Sequence, residues 1–336
     1  MKSLYIADFQ VGIIVEQEHL GIGQVNQAED KNGRSYFDLE LVDKTGTIKA
    51  KIWYDALARM GKLLLEPGKV VAVTATIQEF RGNLQLNISE LTVIPPDQYD
   101  LTDFQSQSTR ELKVLKSTVN KYAKSIKDKH LRELVVGLIR ENEENYFLTP
   151  AAKTFHHNYL NGLAEHVVEM LEIADSVLVN YPEASRDYVY GGIILHDIGK
   201  INELAFDKFA ISYTTVGKLI GHISLGMELI DNYVYRHLPH LRGSIKLYLL
   251  KHIILSHHGK LDYGSPVIPK SIEAAIVSNI DELSSKTRSF QRVMSNHSNS
   301  EADFSAQDFG LGTEIFLRTP SNQDLIDMEI EQQRLV

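Results

Sequence analysis

The N-terminal part of the chain alternates apolar and polar side chains with a period of two, which is typical of β-strands with one buried face. Turn residues such as Thr45-Gly46 and Pro67-Gly68 separate these runs, and a short helical segment over about 54–64 interrupts them. The alternating runs are 36–43, 47–53, 70–77 and 84–88. Short strands with frequent turns predict a small β-barrel.

After residue 109 the apolar residues recur at three- and four-residue spacing, as in Leu112, Leu115 and Val119, which predicts helices. A helix carries His166, and further helices are predicted over 186–197, 216–235, 244–257 and 270–286. The predicted fold class is multidomain α and β, with an N-terminal barrel followed by an all-α domain. Its predicted parts are the barrel over 1–94, a linker over 95–108, the helical domain over 109–290 and a partly irregular tail over 291–336.

Composition narrows the class of protein. The 336 residues are 43% hydrophobic and 24% charged and include no cysteine, which excludes disulfides and thiolate metal sites. The N-terminus has no uninterrupted apolar core, and no apolar stretch approaches the roughly 20 residues that cross a bilayer. We therefore expect a cytoplasmic protein without a membrane partner. The net charge of −9 argues against tight, nonspecific binding to phosphate backbones, although a local basic groove remains compatible with it.

The most informative stretch is an apolar helix that ends in His196-Asp197, followed by Gly199 and Lys200. Adjacent side chains on a helix diverge by about 100°, but a break at Gly199 lets the imidazole and the carboxylate converge on one ligand. Other histidines and an aspartate also interrupt apolar helical runs, where burial is costly unless the group is paired or bound to metal. They are His166, His222, His257, His258 and Asp281. Together they predict a single polar centre.

The order His, His-Asp, His, His, Asp resembles that of the HD-domain metal-dependent phosphohydrolases. The resemblance implies that Asp197 bridges two divalent ions, and it leaves open whether His258 replaces or joins His257. The implied metal ligands are His166, His196, Asp197, His222, His257, His258 and Asp281. Mixed nitrogen and oxygen ligation of this kind suits Mn, Fe, Co, Ni or Zn.

Two lysines are candidate phosphate contacts. Lys200, directly after Gly199, either neutralises a phosphate oxygen or is simply a cation at a helix C-terminus. Lys260, after His258-Gly259, is a second possible contact.

The resemblance also places a lysine and a histidine pair near the pocket. They bind phosphate or protonate the leaving group, or they form a solvated helix start. These residues are Lys153, His156 and His157. The predicted catalytic residues are then Asp197, Lys200 and His157.

The barrel resembles an OB-fold nucleic-acid-binding domain, in the hairpin from Phe37 to Trp53 and in the segment from Phe80 to Leu86. Such barrels stack the bases of single strands on exposed aromatic rings beside basic side chains. The alternative is that these rings fill the barrel, which we expect for Phe37. The candidate nucleic-acid contacts are Tyr36, Trp53, Phe80 and Arg81.

An OB-like barrel followed by an HD domain, with these motifs in this order, resembles the YhaM-family 3′-to-5′ exoribonucleases. The resemblance implies a manganese-preferring enzyme that removes 5′-nucleotides from the 3′ end of single-stranded RNA, with single-stranded DNA and self-association into a homo-oligomer left open. The chain departs from the family pattern after Asp281, where Glu282-Leu283-Ser284-Ser285 stands in place of the family's Leu-Asp-Ala and the aspartate of that motif is absent.

Two other functions remain open. The first is a phosphodiesterase or nucleotidase acting on small nucleotides, with the barrel as a regulatory or oligomerisation module. The second is a nucleic-acid-binding protein without catalytic activity.

Overall fold

The computed structural model describes residues 2, 4–60, 64–80, 83–104, 108, 110–152, 159–207, 210–297, 302–308 and 310–318. Within these residues a closed β-barrel precedes a helical domain, in agreement with the change of apolar period along the sequence. No helix in the described part of the chain is both long enough and apolar enough to cross a membrane.

The barrel closes in the strand order β1-β2-β3-β5-β4. Neighbouring strands are antiparallel except β3 and β5, which pair in parallel through Lys49 with Gln85 and Ala50 with Leu86. Apolar side chains such as Leu41 and Val73 fill the interior. The strands are β1 (Ile14–Glu29), β2 (Ser35–Asp43), β3 (Gly46–Ile52), β4 (Val70–Phe80) and β5 (Asn83–Ile94), and helix α1 (Tyr54–Met60) lies between β3 and β4.

The segment predicted to be a linker packs against the barrel. Phe104 is buried against Val42 and Val70, and Lys44 forms an ion pair with Asp103 at 3.3 Å. Burial of a phenylalanine contributes about 1.5–3 kcal/mol, so this end of the linker is held to the barrel by its own apolar contact.

The helical domain encloses one large apolar core. Its helices are α2 (Leu112–Ser125), α3 (Lys129–Glu141), α4 (Glu143–Leu148), α5 (Gly162–Val177), α6 (Arg186–Leu195), α7 (Lys200–Glu203), α8 (Thr215–Ile220), α9 (His222–His237), α10 (Ile245–Leu255) and α11 (Ile272–Asn296). The domain also contains a short antiparallel hairpin, β6 (Leu204–Asp207) and β7 (Ala210–Tyr213), that the helical pattern did not predict.

The prediction of one helix over 216–235 is wrong. The chain breaks at Gly221, whose φ of +78° lies outside the helical region and favours glycine, so α8 and α9 are separate helices. This break makes His222 the first residue of α9. The described residues of the predicted tail form two isolated bridges, Phe304 with Phe316 and Asp308 with Thr313, and no strand. Helix α11 continues to Asn296, ten residues beyond the predicted end at 286.

We expect Gly199→Ala to destabilise the helical domain, because a Cβ at this position would overlap the carbonyl oxygen of His222 and lie 2.5 Å from the amide nitrogen of Gly226. Overpacking against backbone typically costs about 1–3 kcal/mol. Urea unfolding followed by the helical circular dichroism signal measures this loss.

Gly226→Ala is the matched control, since its Cβ would come no closer than 3.4 Å to Gly199 and alanine favours the helix. Equal stability of the two variants would contradict the close approach of these two segments.

Candidate metal centre

Separate helices deliver the predicted metal-binding side chains to one place. His166 lies in the second turn of α5, His196-Asp197 follows α6, and His222 begins α9. His257 follows α10, and Asp281 lies within α11. His166, His196, Asp197 and His257 are all buried.

Asp197 lies at the centre of this cluster. Its Oδ2 is 3.1 Å from His196 Nε2 and 2.6 Å from Lys200 Nζ. Its Oδ1 is 3.3 Å from His222 Nε2 and 3.6 Å from His257 Nε2. The carboxylate therefore has imidazole nitrogens beside both of its oxygens.

His166 and Asp281 extend the cluster on the side of His196. His166 Nε2 is 3.1 Å from Asp281 Oδ1, and the rings of His166 and His196 are 5.4 Å apart. The predicted ligands form three sets of three side chains, and within each set the ligand atoms lie within 4.8 Å of one another. Each of the seven predicted ligands belongs to at least one set. The sets are His166, His196 and Asp281; His196, Asp197 and His257; and His222, His257 and His258. Both adjacent imidazoles, His257 and His258, therefore join the cluster.

Hydrogen bonds at Nδ1 orient three of the imidazoles. His196 Nδ1 donates to the carbonyl of Ile193 at 2.8 Å, and His257 Nδ1 donates to that of Ile254 at 2.7 Å. A carbonyl can only accept, so Nδ1 carries the proton and the Nε2 of the neutral ring has a free lone pair. His222 Nδ1 lies 3.2 Å from Glu203 Oε1, a carboxylate that selects the same tautomer.

The residues fit a divalent metal ion. Four buried atoms, Nε2 of His196, His222 and His257 and Oδ1 of Asp197, make no hydrogen bond to the described residues, because the lone pair of a neutral imidazole cannot donate to the carboxylate oxygen beside it. Buried polar atoms without partners are costly, and a cation coordinated by them would offset that cost. A set of imidazole nitrogens and carboxylate oxygens suits a divalent transition metal.

The local charges keep Asp197 ionised. Burial alone would raise its pKa, but Lys200 and His196 lower the pKa of Asp197 well below its usual range. Burial would lower the pKa of His196, yet the adjacent Asp197 raises it, so a proton and a metal ion compete for its Nε2. Burial and the neighbouring His257 lower the pKa of His258 to about 4, which leaves that ring neutral at neutral pH.

The structure clarifies the position of the predicted phosphate contacts. Lys200 begins α7 rather than ending a helix, and its ammonium lies against Asp197. Lys260 is exposed on the loop after His258. Lys153, His156 and His157 lie outside the described residues.

Two buried residues that the sequence did not reveal hold the imidazoles. Glu203 Oε1 accepts a hydrogen bond from the backbone nitrogen of His222 at 3.0 Å, and the same oxygen lies beside Nδ1 of the His222 ring. Ser284 Oγ shares a 3.1 Å hydrogen bond with His166 Nδ1, at the position where the chain departs from the family pattern. The only sequence signal for either was an isolated polar residue within a helical segment.

The barrel presents an aromatic and basic surface on β2, β3 and the start of α1. The rings of Tyr36 and Trp53 are 4.9 Å apart, and Lys51 Nζ lies 4.7 Å from the first and 5.2 Å from the second. Trp53 is 40% exposed. Beside it, the guanidinium of Arg34 is 5.8 Å from the exposed ring of Tyr54. Lys51, Arg34 and Tyr54 were not predicted, although they lie within or next to the same alternating hairpin.

Three other residues of the barrel were considered in the sequence analysis: Phe37, Phe80 and Arg81. Phe37 packs against the barrel core, as expected. Phe80 is 56% exposed at the end of β4. Arg81 lies outside the described residues.

Comparison with known proteins agrees with this architecture. A family model described as an HD domain matches residues 163–286, and one described as an OB-fold nucleic acid binding domain matches residues 22–94. The 3′-5′ exoribonuclease YhaM of Geobacillus sp. (strain WCH70) is 33% identical over 290 residues, covering 86% of this chain and 87% of that protein.

Two further relatives carry the same name. The protein of Oceanobacillus iheyensis is 35% identical over 81% of this chain and 84% of its own length. That of Bacillus subtilis (strain 168) is 32% identical over 85% of this chain and 89% of its own length. Identity at this level across both domains shows that the chain belongs to the YhaM family of 3′-5′ exoribonucleases.

Proposed function

We propose that this protein is a metal-dependent 3′-to-5′ exonuclease that hydrolyses single-stranded RNA to 5′-nucleotides. The observation that carries the proposal is the buried set of imidazole nitrogens and a carboxylate oxygen, all lacking partners among the described residues, around Asp197. The relatives named 3′-5′ exoribonuclease YhaM supply the reaction and its direction.

We further propose that the centre holds two divalent ions, with manganese as the preferred metal. His166, His196 and Asp281 would hold one, and His222, His257 and His258 the other. Asp197 has imidazoles of both sets beside it and would be the ligand that the two ions share. Bound divalent ions polarise a phosphodiester, lower the pKa of water and stabilise a leaving oxygen.

The protein's own groups would position the substrate around this centre. The Lys200 side chain is only 13% exposed and its ammonium adjoins Asp197, so it would meet a phosphate oxygen that approaches the carboxylate. Lys260 would contact a neighbouring phosphate. For Lys153, His156 and His157 the proposed roles, phosphate binding and protonation of the leaving group, rest on the sequence resemblance.

The barrel would hold the strand whose 3′ end enters the centre. Tyr36 and Trp53 offer ring faces for stacking, and Lys51 supplies a positive charge beside them. The exposed ring of Phe80 is a further candidate for stacking, and the proposed role of Arg81 rests on the sequence resemblance. Stacking does not depend on the sugar, so this surface does not itself select against single-stranded DNA. A cytoplasmic location and self-association remain predictions from the sequence.

We expect Asp197→Asn and His196→Ala to reduce hydrolysis by more than about 100-fold, beyond the loss typical of residues that only orient a metal ligand. RNA binding should persist because the barrel surface is unchanged. Time-resolved digestion of end-labelled single-stranded RNA with added manganese measures the first effect, and fluorescence anisotropy in chelator measures the second.

His237→Ala, an exposed histidine on α9, is the control and should keep full activity. Retained RNA turnover in Asp197→Asn would reject this centre. Hydrolysis of free or cyclic nucleotides without digestion of RNA by the wild type would favour the small-nucleotide phosphodiesterase. Binding of RNA without any hydrolysis would favour the protein without catalytic activity.

We expect Glu203→Ala to weaken manganese binding by about 10- to 100-fold, because His222 loses the acceptor at its Nδ1 and α9 loses the anion at its first residue. Glu203→Gln should lose less, since its amide oxygen still accepts. Isothermal titration with manganese measures both.

Glu228→Ala on the exposed face of α9 is the matched control. Unchanged manganese affinity in Glu203→Ala would show that His222 does not need this carboxylate.

We expect Trp53→Ala to weaken the binding of single-stranded RNA by about 1–3 kcal/mol, the usual contribution of a stacked base. Trp53→Phe should retain most of the affinity because it keeps a ring face. Anisotropy of a labelled oligonucleotide in chelator separates binding from cleavage.

Tyr181→Ala, an exposed aromatic residue outside the barrel, is the control. If Trp53→Ala left RNA affinity unchanged but lowered the stability of the barrel, Trp53 would be a packing residue.

A further inference from the structure

A short loop between α10 and α11 lies directly against the metal centre. Its backbone is closed by hydrogen bonds from Tyr263 N to Lys260 O at 3.1 Å and from Gly264 N to Leu261 O at 2.9 Å. Gly259 and Gly264 have φ values of +76° and +87°, which let the chain turn tightly at both ends. Backbone contacts therefore fix this loop without help from its exposed side chains.

The loop is joined to a candidate metal ligand. His258 Nδ1 donates to the carbonyl oxygen of Tyr263 at 2.8 Å, and a Cβ on Gly264 would lie 3.9 Å from the same nitrogen. The position of Tyr263 is thus fixed relative to the imidazole of His258.

The Tyr263 side chain is 52% exposed, and neighbouring Leu261 is 62% exposed. The ammonium of Lys260 lies 4.9 Å from the centroid of the Tyr263 ring. The Lys260 ammonium therefore lies over one face of the Tyr263 ring, on the loop that His258 contacts. With about half of its surface exposed, the Tyr263 side chain is open to a ligand.

A nucleotide presents the complementary chemistry. Its base stacks on an aromatic ring, and its phosphate attracts an ammonium group. Because every base has a flat face, such a site would accept all four bases, as an enzyme that digests a strand from its end requires.

We propose that Tyr263 and Lys260 form a binding subsite for the 3′-terminal nucleotide, with the Tyr263 ring stacking on the base and the Lys260 ammonium contacting a phosphate. This inference rests on the proposed function and deepens it. The subsite is separate from the aromatic surface of the barrel, and it would act on the last nucleotide alone.

The test compares short single-stranded RNA oligonucleotides that differ only in their 3′-terminal nucleotide, which either carries its base or is abasic. Equilibrium binding is measured in chelator, and single-turnover cleavage is measured with manganese. In the wild type, loss of the terminal base should weaken binding roughly 5- to 150-fold, the range of a stacked base. Tyr263→Ala should bind the normal oligonucleotide weakly and show no further loss with the abasic one.

Two other variants separate the contribution of the Tyr263 ring from that of the Lys260 ammonium. Tyr263→Phe keeps the ring and should behave as the wild type. Lys260→Ala should bind both oligonucleotides less tightly, with a reduced salt dependence, but keep the ratio between them. Tyr235→Ala is the matched control, since Tyr235 is also exposed and has the Arg242 guanidinium 5.3 Å from its ring.

The proposed subsite would be overturned if loss of the terminal base weakened binding by the same factor in the wild type and in Tyr263→Ala. It would also be overturned if loss of that base left the affinity of the wild type unchanged. Failure of the proposed function looks different, because the wild type would then release no nucleotide from either oligonucleotide, whatever their binding ratio.

Discussion

The metal centre of the helical domain depends on burying one carboxylate among imidazoles. Asp197 is enclosed by His196, His222, His257 and Lys200, in a region where an isolated charge would be very costly. The surrounding helices supply the apolar burial that holds these groups in place. Gly199 lets the segment after Asp197 lie against the start of α9, and this close approach brings His222 to the carboxylate.

The sequence predicted the members of this centre because polar residues stand out within apolar helical runs. It did not predict the side chains that hold two of them, since the partners of the Nδ1 atoms of His222 and His166 come from other parts of the chain. Glu203 is 19 residues from His222, and Ser284 is 118 residues from His166. The break at Gly221 was missed for a related reason, because a single glycine is compatible with a helical pattern until its φ is known.

The barrel shows the same limit of local pattern. Strands β2 to β5 were predicted from alternating apolar positions, whereas β1 was not. Its register shifts between Val15 and Glu18 and again between Ile22 and Gln24 as it pairs with β4 on one side and β2 on the other. Each irregularity displaces the alternation, so a period of two does not persist along its 16 residues.

The net charge of −9 is compatible with an RNA substrate because the positive charges relevant to it are local. Lys51 lies over the rings of Tyr36 and Trp53, and Lys260 lies beside Tyr263. In each place a flat ring and a cation occur together, so stacking would supply affinity that does not require many phosphate contacts. Binding by base stacking depends less on the salt concentration than binding by phosphate contacts, because phosphate contacts release counterions. An acidic chain with a few such ring-and-cation sites can therefore hold a strand without the extended basic groove that its composition argues against.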